Sequence, residues 1–419
     1  MQVFKFGGAS VKDATAVRNV GEIVKRFGKE KLLVVISAMG KTTNALERLT
    51  TSYFKQTGET KKLFDEIKQY HDNIIKDLIS DIHPHGFDDI ENTFIELECL
   101  ISGTPEGSFD FHYDQIVSFG EIICTKIVSI YLNQTNIRNR WVDARNFVHT
   151  DTSHREGKID WNKTKQIIHS KLKPLVEKQI IITQGFIGNS PNNNTTTLGR
   201  EGSDYSAAIF AYALEATSLT IWKDVAGVLN ADPKRFKDTM KIDALNYNEA
   251  IELAYYGATV IHPKTIQPLQ SKNIPLYVKS FVAPEEEGTT VSSSPHDLIK
   301  MPVYIVKSGQ TLVSISSKDF SFIVEENLSK IFEVFAKHAI KTNLMQNSAI
   351  SFSACVNTDD ENLQKLQDAL SLQFNIRINK GCELFTARNV RSIQQVEYVK
   401  DKIILLEQRT RSSIQLVIQ

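Results

Sequence analysis

Lys5-Phe6-Gly7-Gly8-Ala9-Ser10 stands almost at the start of the chain, and its residue types suit one kind of chemistry. Val3, Phe4 and Phe6 read as a short buried strand and the paired glycines as a turn. Val17, Val20, Val24 and Phe27, closed by Gly28, read as the helix that follows. A strand, a glycine turn and a helix start together offer backbone N–H groups to an anion, here with a lysine beside them. That is a place to hold phosphate. Glycine pairs also occur at such corners for geometry alone, so the motif needs company.

Company is present. Ser37-Ala38-Met39-Gly40-Lys41-Thr42-Thr43-Asn44 ends a buried strand in a turn rich in hydroxyls, and Ser118-Phe119-Gly120-Glu121 puts a carboxylate at the opening of an apolar helix. Gln184-Gly185-Phe186 precedes Leu198-Gly199-Arg200-Glu201-Gly202-Ser203-Asp204-Tyr205-Ser206, a second glycine turn into a small-residue helix, with an arginine fork and an aspartate. Lys223-Asp224-Val225-Ala226-Gly227, Asn230-Ala231-Asp232-Pro233-Lys234 and Tyr256-Gly257-Ala258-Thr259-Val260-Ile261-His262-Pro263-Lys264 follow, the last read as a turn between helix and strand. Each has a plainer reading. Glu121 can serve as a helix-end carboxylate, Arg200 as a surface ion-pair partner, and His262 as a hydrogen-bonded structural residue.

The elements that must position these groups fall into two regions. The chain has 419 residues, enough for two or three domains. Up to about Val282, strands at 32–36, 180–183, 219–222 and 276–278 alternate with helices, as in a largely parallel α/β sheet. A charged helical insertion covers about 44–101, with Leu63, Ile67, Tyr70 and Ile74 at helical spacing. Pro284 to Pro295 reads as a linker. The rhythm then shortens: strand 311–316, helix 327–340, extended 344–356, helix 362–374, extended 376–387, helix 396–407 and strand 413–418. That series suggests a ferredoxin-like module, or one and a half of them. Lys+Arg and Asp+Glu both number 49, which leaves no global field toward nucleic acid or an acidic membrane. Cys99, Cys124, Cys355 and Cys382 show no pairing or metal-ligand spacing and suit a reducing compartment. With no signal-like start and no apolar run near the ~20 residues of a membrane helix, the expectation is a cytoplasmic globular protein.

Taken together, these motifs resemble the aspartate kinases, of the amino acid kinase fold, over nearly the whole chain. The resemblance implies a mostly parallel α/β sheet sandwiched by helices over 1–283, a linker over 284–301, and a ferredoxin-like βαβ ACT regulatory region over 302–419. That region reads as one complete module plus a reduced second. The implied reaction is ATP + L-aspartate → ADP + 4-phospho-L-aspartate, the first step toward lysine, threonine, methionine and diaminopimelate. The nucleophile is a side-chain carboxylate of pKa ~3.9, already ionised at neutral pH, so the obstacle is charge repulsion and not proton removal. Lys5 is assigned the transition-state charge, and Asp204 the orientation of that lysine and the phosphates. Arg200 is assigned the α-carboxylate of aspartate, Glu121 its α-ammonium, Ser37, Thr43 and Ser203 the hydroxyl contacts, and Phe186 a wall. Lys5, Gly7, Gly8, Ser10, Lys223, Asp224, Leu229, Lys234 and Lys264 are assigned to ATP, with Mg²⁺ carried by the nucleotide and no protein metal site.

The chain departs from the family pattern mainly on the nucleotide side. Lys223 stands for a common threonine, Leu229 for tyrosine, Thr259 for lysine and Lys234 for arginine, and Glu201 replaces a glycine. Lys223 and Lys264 are candidates to restore the missing charge. The effector positions carried over are Asn343, Gln346, Asn347 and Ser348, with lysine or threonine as inhibitor and a homodimer or dimer of dimers as the assembly. Two other readings stay open: a non-catalytic amino-acid sensor on a kinase scaffold, and another phosphotransferase of the same fold.

Overall fold

The computed structural model describes residues 1–29, 31–79, 87–258, 261–293, 301–319, 321–390 and 396–419. Residues 294–300 of the expected linker, and Thr259, lie outside the described residues. Contacts divide the chain into two units, Met1–Val228 with Lys241–Ile251 and Val260–His296, and Leu229–Met240 with Glu252–Thr259 and Asp297–Gln419.

In the first unit an eight-stranded sheet runs in the order 244–246, 289–292, 276–280, 218–223, 2–6, 32–36, 180–184, 139–141. Every neighbouring pair is parallel except Leu276–Ser280 with Thr289–Ser292. The apolar run Leu32–Ile36 is buried along its whole length, as a strand covered by helices on both faces must be. Register places Phe6, Ile36, Gln184 and Trp222 in one row. Gly7, Ser37, Gly185 and Lys223 therefore follow together at the carboxyl ends of four adjacent strands, with Lys5 just before Phe6 on the first of them, where open parallel sheets bind ligands.

The helix after the first glycines is Ala14–Phe27, started by Asp13, whose carboxylate accepts from the Ala16 N–H at 2.8 Å, and ended at Gly28. A 3-10 turn, Gly8–Val11, comes between, so the glycines feed a tight turn instead of the helix itself. The insertion forms three helices, Thr42–Lys55, Thr60–Ile79 and Asp88–Ile101. The helical run Phe109–Gln134 is long and apolar enough to cross a membrane, but 83% of its most apolar window is buried in protein, the setting of a core helix. One expectation needs correcting after Tyr256. Helix Tyr247–Tyr256 is followed by another helix, Pro263–Ser271, not by a strand. Proline at the first helical position and the His262 ring, which accepts from the Lys264 N–H at 3.1 Å, start it.

The second unit carries a six-stranded antiparallel sheet in the order 341–347, 351–357, 303–317, 374–388, 413–418, 404–409. Helices Glu325–Lys337 and Asp360–Leu370 cover it through Ile331, Phe335, Leu363 and Leu366, packed on Val313, Ile315, Phe352 and Phe374. This is one complete β-α-β-β-α-β module. Two readings of the tail change. The stretch 344–356 is a hairpin, Lys341–Asn347 and Ser351–Asn357, turned where the Ser348 N–H bonds the Ser351 carbonyl at 2.8 Å. The helix expected at 396–407 is a short 3-10 turn, Glu397–Val399, and then a strand, Ile404–Arg409, paired with Ser413–Ile418. The apolar cluster at 403–406 fits either period, and its pairing with Ser413–Ile418 makes it a strand.

Segment 229–240 is held to this sheet. Glu383 accepts bonds from Arg235 (2.7 Å), Lys402 (2.5 Å), Tyr398 (2.7 Å) and Ser308 (3.0 Å). Burial alone would raise the Glu383 pKa, but these donors outweigh it and bring it to about 2. Phe236 stacks on Tyr304 at 5.3 Å beside them.

Candidate active site

A cleft of about 780 Å³ opens at the carboxyl edge of the parallel sheet, wholly within the first unit. Lys5, from the first strand, reaches Asp204 Oδ1 with its Nζ at 2.5 Å, and Lys223, from the end of strand Ser218–Lys223, reaches Oδ2 at 3.2 Å. Asp204 sits in the first turn of the buried helix Gly202–Leu214, where the helix dipole favours an anion. Burial would raise its pKa, but the two ammonium groups more than offset this and hold it below the usual carboxylate range. One aspartate thus fixes two cations side by side, both lining the cleft.

Glu121 enters from the first turn of Phe119–Gln134 and is only 2% exposed. Its Oε1 accepts from the Ala38 N–H at 3.3 Å, and its Oε2 has no hydrogen-bond partner. Burial pushes its pKa up to about 8, against the pull of the Ala38 N–H and of Lys5. A buried carboxylate oxygen with no partner, facing a cleft, is suited to a cationic ligand group.

Phe186 is held in the left-handed region, with φ of +69°. Its N–H donates to Ser206 Oγ at 2.9 Å and its carbonyl accepts from the Leu198 N–H at 2.9 Å. Such a backbone is costly for a bulky residue and persists because both neighbours pin it. The close fit continues: a Cβ on Gly185 would lie 2.5 Å from Ser203 Cβ, and one on Gly202 would lie 2.6 Å from Phe186 Cδ2. Only glycine fits at either place.

The structure brings Lys5, Ser37, Thr43, Glu121, Phe186, Arg200, Ser203, Asp204 and Lys223 into one cleft. Other assigned residues do not line it. Gly7 lies beside the Lys5 amine, since a Cβ there would sit 3.5 Å from Nζ. Gly8 packs on the second loop, accepting from the Gly40 N–H at 3.0 Å, and Ser10 is buried in the turn. Asp224 and Lys264 are exposed on the first unit, and Leu229 and Lys234 belong to the second. Of the effector positions, Asn343 bonds Lys307 and Gln310, while Gln346, Asn347 and Ser348 are exposed at the end of the edge strand.

Glu47, Tyr113, Arg155, Glu156 and Glu201 also line the cleft, and no role was assigned to them from the sequence. Tyr113 donates to Glu47 at 2.7 Å, and the Arg155 guanidinium lies over the Tyr113 ring at 4.4 Å. Arg155 takes φ of +63° and its N–H donates to the buried Asp114 carboxylate. No local pattern marks Glu47, Tyr113, Arg155 or Glu156, because the insertion, helix Phe109–Val117 and the 151–158 loop reach the cleft only through tertiary packing. Glu201 stands where the family pattern has a glycine. It proves to be half-buried at φ of +54°, its pKa raised by burial despite nearby Lys223.

A parallel α/β sheet with a cation pair fixed at its carboxyl edge defines a phosphoryl-transfer scaffold, and comparison with known proteins agrees. The chain belongs to the amino acid kinase family, which it matches over residues 1–280, and within it to the aspartokinases. It is 30% identical over 390 residues to the lysine-sensitive aspartokinase 3 of Escherichia coli (strain K12), covering 91% of this chain and 85% of that protein. The crystal structure of E. coli aspartokinase III in complex with aspartate and ADP superposes with a TM-score of 0.86 at 27% identity, covering 100% of this chain and 96% of that one. A chloroplastic bifunctional aspartokinase/homoserine dehydrogenase 2 from Arabidopsis thaliana is 28% identical over 90% of this chain, which spans 42% of that longer protein.

Proposed function

We propose that this cleft transfers the γ-phosphoryl group of ATP to the side-chain carboxylate of L-aspartate, giving ADP and 4-phospho-L-aspartate. One observation carries the reading. The same cleft holds a phosphate-handling end, Lys5–Asp204–Lys223, and a zwitterion-handling end, Glu121 with Arg200. A sensor that had lost catalysis would not need the first, and a kinase for a nucleoside monophosphate would not need the second.

The residues divide the work as follows. Arg200 takes the substrate α-carboxylate with its planar fork and Glu121 the α-ammonium, with Ser37, Thr43 and Ser203 supplying hydroxyls and Phe186 a wall. The remaining carboxylate of aspartate is then aimed at the phosphoryl group with no base needed. Lys5 and Lys223 meet the charge that spreads over the transferring oxygens, held ready by Asp204 so that no reorganisation is required. Among the described residues no three His, Cys, Asp or Glu side chains converge to hold a metal, and Asp204 is committed to two lysines. That donor set suits a Mg²⁺ carried on the phosphates with its own waters, where it would neutralise phosphate charge.

The second unit acts as an ACT regulatory region, the assembly is a homodimer or dimer of dimers, and an end-product amino acid inhibits. Lysine is favoured, since the E. coli relative is named for lysine sensitivity. The reaction opens a route to lysine, threonine, methionine and diaminopimelate. Four unpaired cysteines suit a reducing compartment such as the cytoplasm. The test is coupled ADP release with aspartate, glutamate and UMP as acceptors. Turnover with aspartate alone supports the proposal, and turnover only with glutamate or UMP overturns it.

A further inference from the structure

A second cavity of about 450 Å³ lies in the first unit behind the loop that follows Ser37. Its floor is apolar, made by Ala45, Leu63, Ile67 and the ring of Tyr70. Its rim carries three cations, Lys12, Lys41 and Arg48, against one carboxylate, Glu66. Among the described residues none of these three cations is in an ion pair, unlike Lys61 and Lys68 on the neighbouring helix, which bind Glu98 and Glu91. Isolated surface cations are normally just solvated. Three unpaired ones around an apolar concavity of ligand size are a different case. An anion with an apolar body would gain charge-assisted bonds at the rim and remove the floor from water together.

The cavity also touches the catalytic loop. Gly40, Lys41 and Thr42 line it, while Thr43 next in sequence lines the catalytic cleft. Tyr70 clamps both glycine loops: its hydroxyl donates to the Lys12 carbonyl at 2.5 Å and lies 2.6 Å from where a Cβ of Gly40 would stand. Behind it the buried His71 ring meets the Ile67 carbonyl at 2.8 Å and Thr42 Oγ1 at 3.5 Å. An occupant resting on Tyr70 and Ile67 would therefore bear directly on the loop that places Ser37 and Thr43.

We propose that this cavity binds a small carboxylate with an apolar body, and that its occupancy changes the affinity of the catalytic cleft for aspartate. The binding half stands by itself; the kinetic half rests on the aspartate kinase reading. The experiment titrates phenylacetate, 4-methylpentanoate, L-leucine and inorganic phosphate into the full chain by calorimetry. Arg48→Gln and Ala45→Phe, two changes outside the catalytic cleft, are titrated in parallel after their folding is checked by circular dichroism. At least one of the three apolar carboxylates should bind, and at least about tenfold more weakly to each variant, the loss expected of one charge-assisted bond or of a filled cavity. If L-leucine is the ligand, Glu66→Gln should weaken it while leaving phenylacetate alone, which marks a zwitterion site. No binding by any carboxylate at about 10 mM, binding by phosphate alone, or binding unchanged in either folded variant overturns the proposal. In the kinetic arm the bound carboxylate should shift the aspartate Michaelis constant at least about twofold in the parent chain only. Binding without that shift refutes the coupling and leaves the catalytic reading untouched.

Discussion

Glu121 offers the sharpest test of how the site recognises its substrate. Its carboxyl is buried, with one oxygen on the Ala38 N–H and the other without a partner, and its pKa is pushed up to about 8. Roughly one Glu121 in ten is then ionised at pH 7, about half at pH 8 and about nine in ten at pH 9. Only the ionised form pairs with an α-ammonium, so apparent aspartate affinity scales with that fraction and should rise about tenfold from pH 7 to pH 9. Glu121→Gln removes the charge. At pH 9 it should cost about 1.5–3 kcal/mol, or roughly 10- to 150-fold in kcat/KM for aspartate, and at pH 7 the gap to the parent should be about tenfold smaller. The assay is kcat/KM for aspartate from pH 6 to 9 at saturating ATP. A flat profile in the parent, or equal slopes in parent and variant, would refute the assignment.

Four further outcomes are expected. Because the folded pKa of Glu121, about 8, lies above the reference value of 4.5, the folded chain keeps a proton that the unfolded chain has released. Stability should therefore fall as pH rises from about 4.5 through about 8, and Glu121→Gln should flatten that fall in a pH series of urea melts. Lys5→Ala should lower kcat by about 100- to 1,000-fold, the usual loss for a group that meets transition-state charge, with little change in the aspartate Michaelis constant. Arg200→Lys should raise the Michaelis constant for aspartate more than that for ATP, since an ammonium lacks the planar fork, and equal effects would mark a structural arginine. Gly202→Ala puts a methyl 2.6 Å from the Phe186 ring, so thermal unfolding should show about 1–3 kcal/mol of destabilisation together with weaker aspartate binding.

Local chemistry made much of this site legible in the sequence. Lys5, Glu121 and Arg200–Asp204 sit in short motifs whose glycines and charges are uncommon together, and a largely parallel sheet follows from apolar strands alternating with helices, while the register that levels Phe6, Ile36, Gln184 and Trp222 comes from the structure. Residues delivered by tertiary packing were not legible. Glu47 and Tyr113 lie near the Ser37–Asn44 and Ser118–Glu121 motifs but outside them, and Arg155 lies on a separate loop, so only tertiary packing shows that they reach the cleft. Lys223 is instructive because the sequence marks it as a substitution that could restore charge toward ATP, while only the structure shows it sharing Asp204 with Lys5. The tail was misread where an apolar cluster at 403–406 is compatible with either period, and only its pairing with Ser413–Ile418 decides for a strand.

On the proposed function, the Lys5–Asp204–Lys223 end and the Glu121–Arg200 end of one cleft together phosphorylate the aspartate side chain. Trapping the product with hydroxylamine tests this most directly, because an acyl phosphate yields a hydroxamate while a phosphate ester or a phosphorylated nucleotide does not. With ATP, Mg²⁺ and L-aspartate the chain should produce aspartyl hydroxamate in step with ADP, and Lys5→Ala should produce almost none. ADP release without hydroxamate, or hydroxamate formation that survives Lys5→Ala undiminished, would contradict the account.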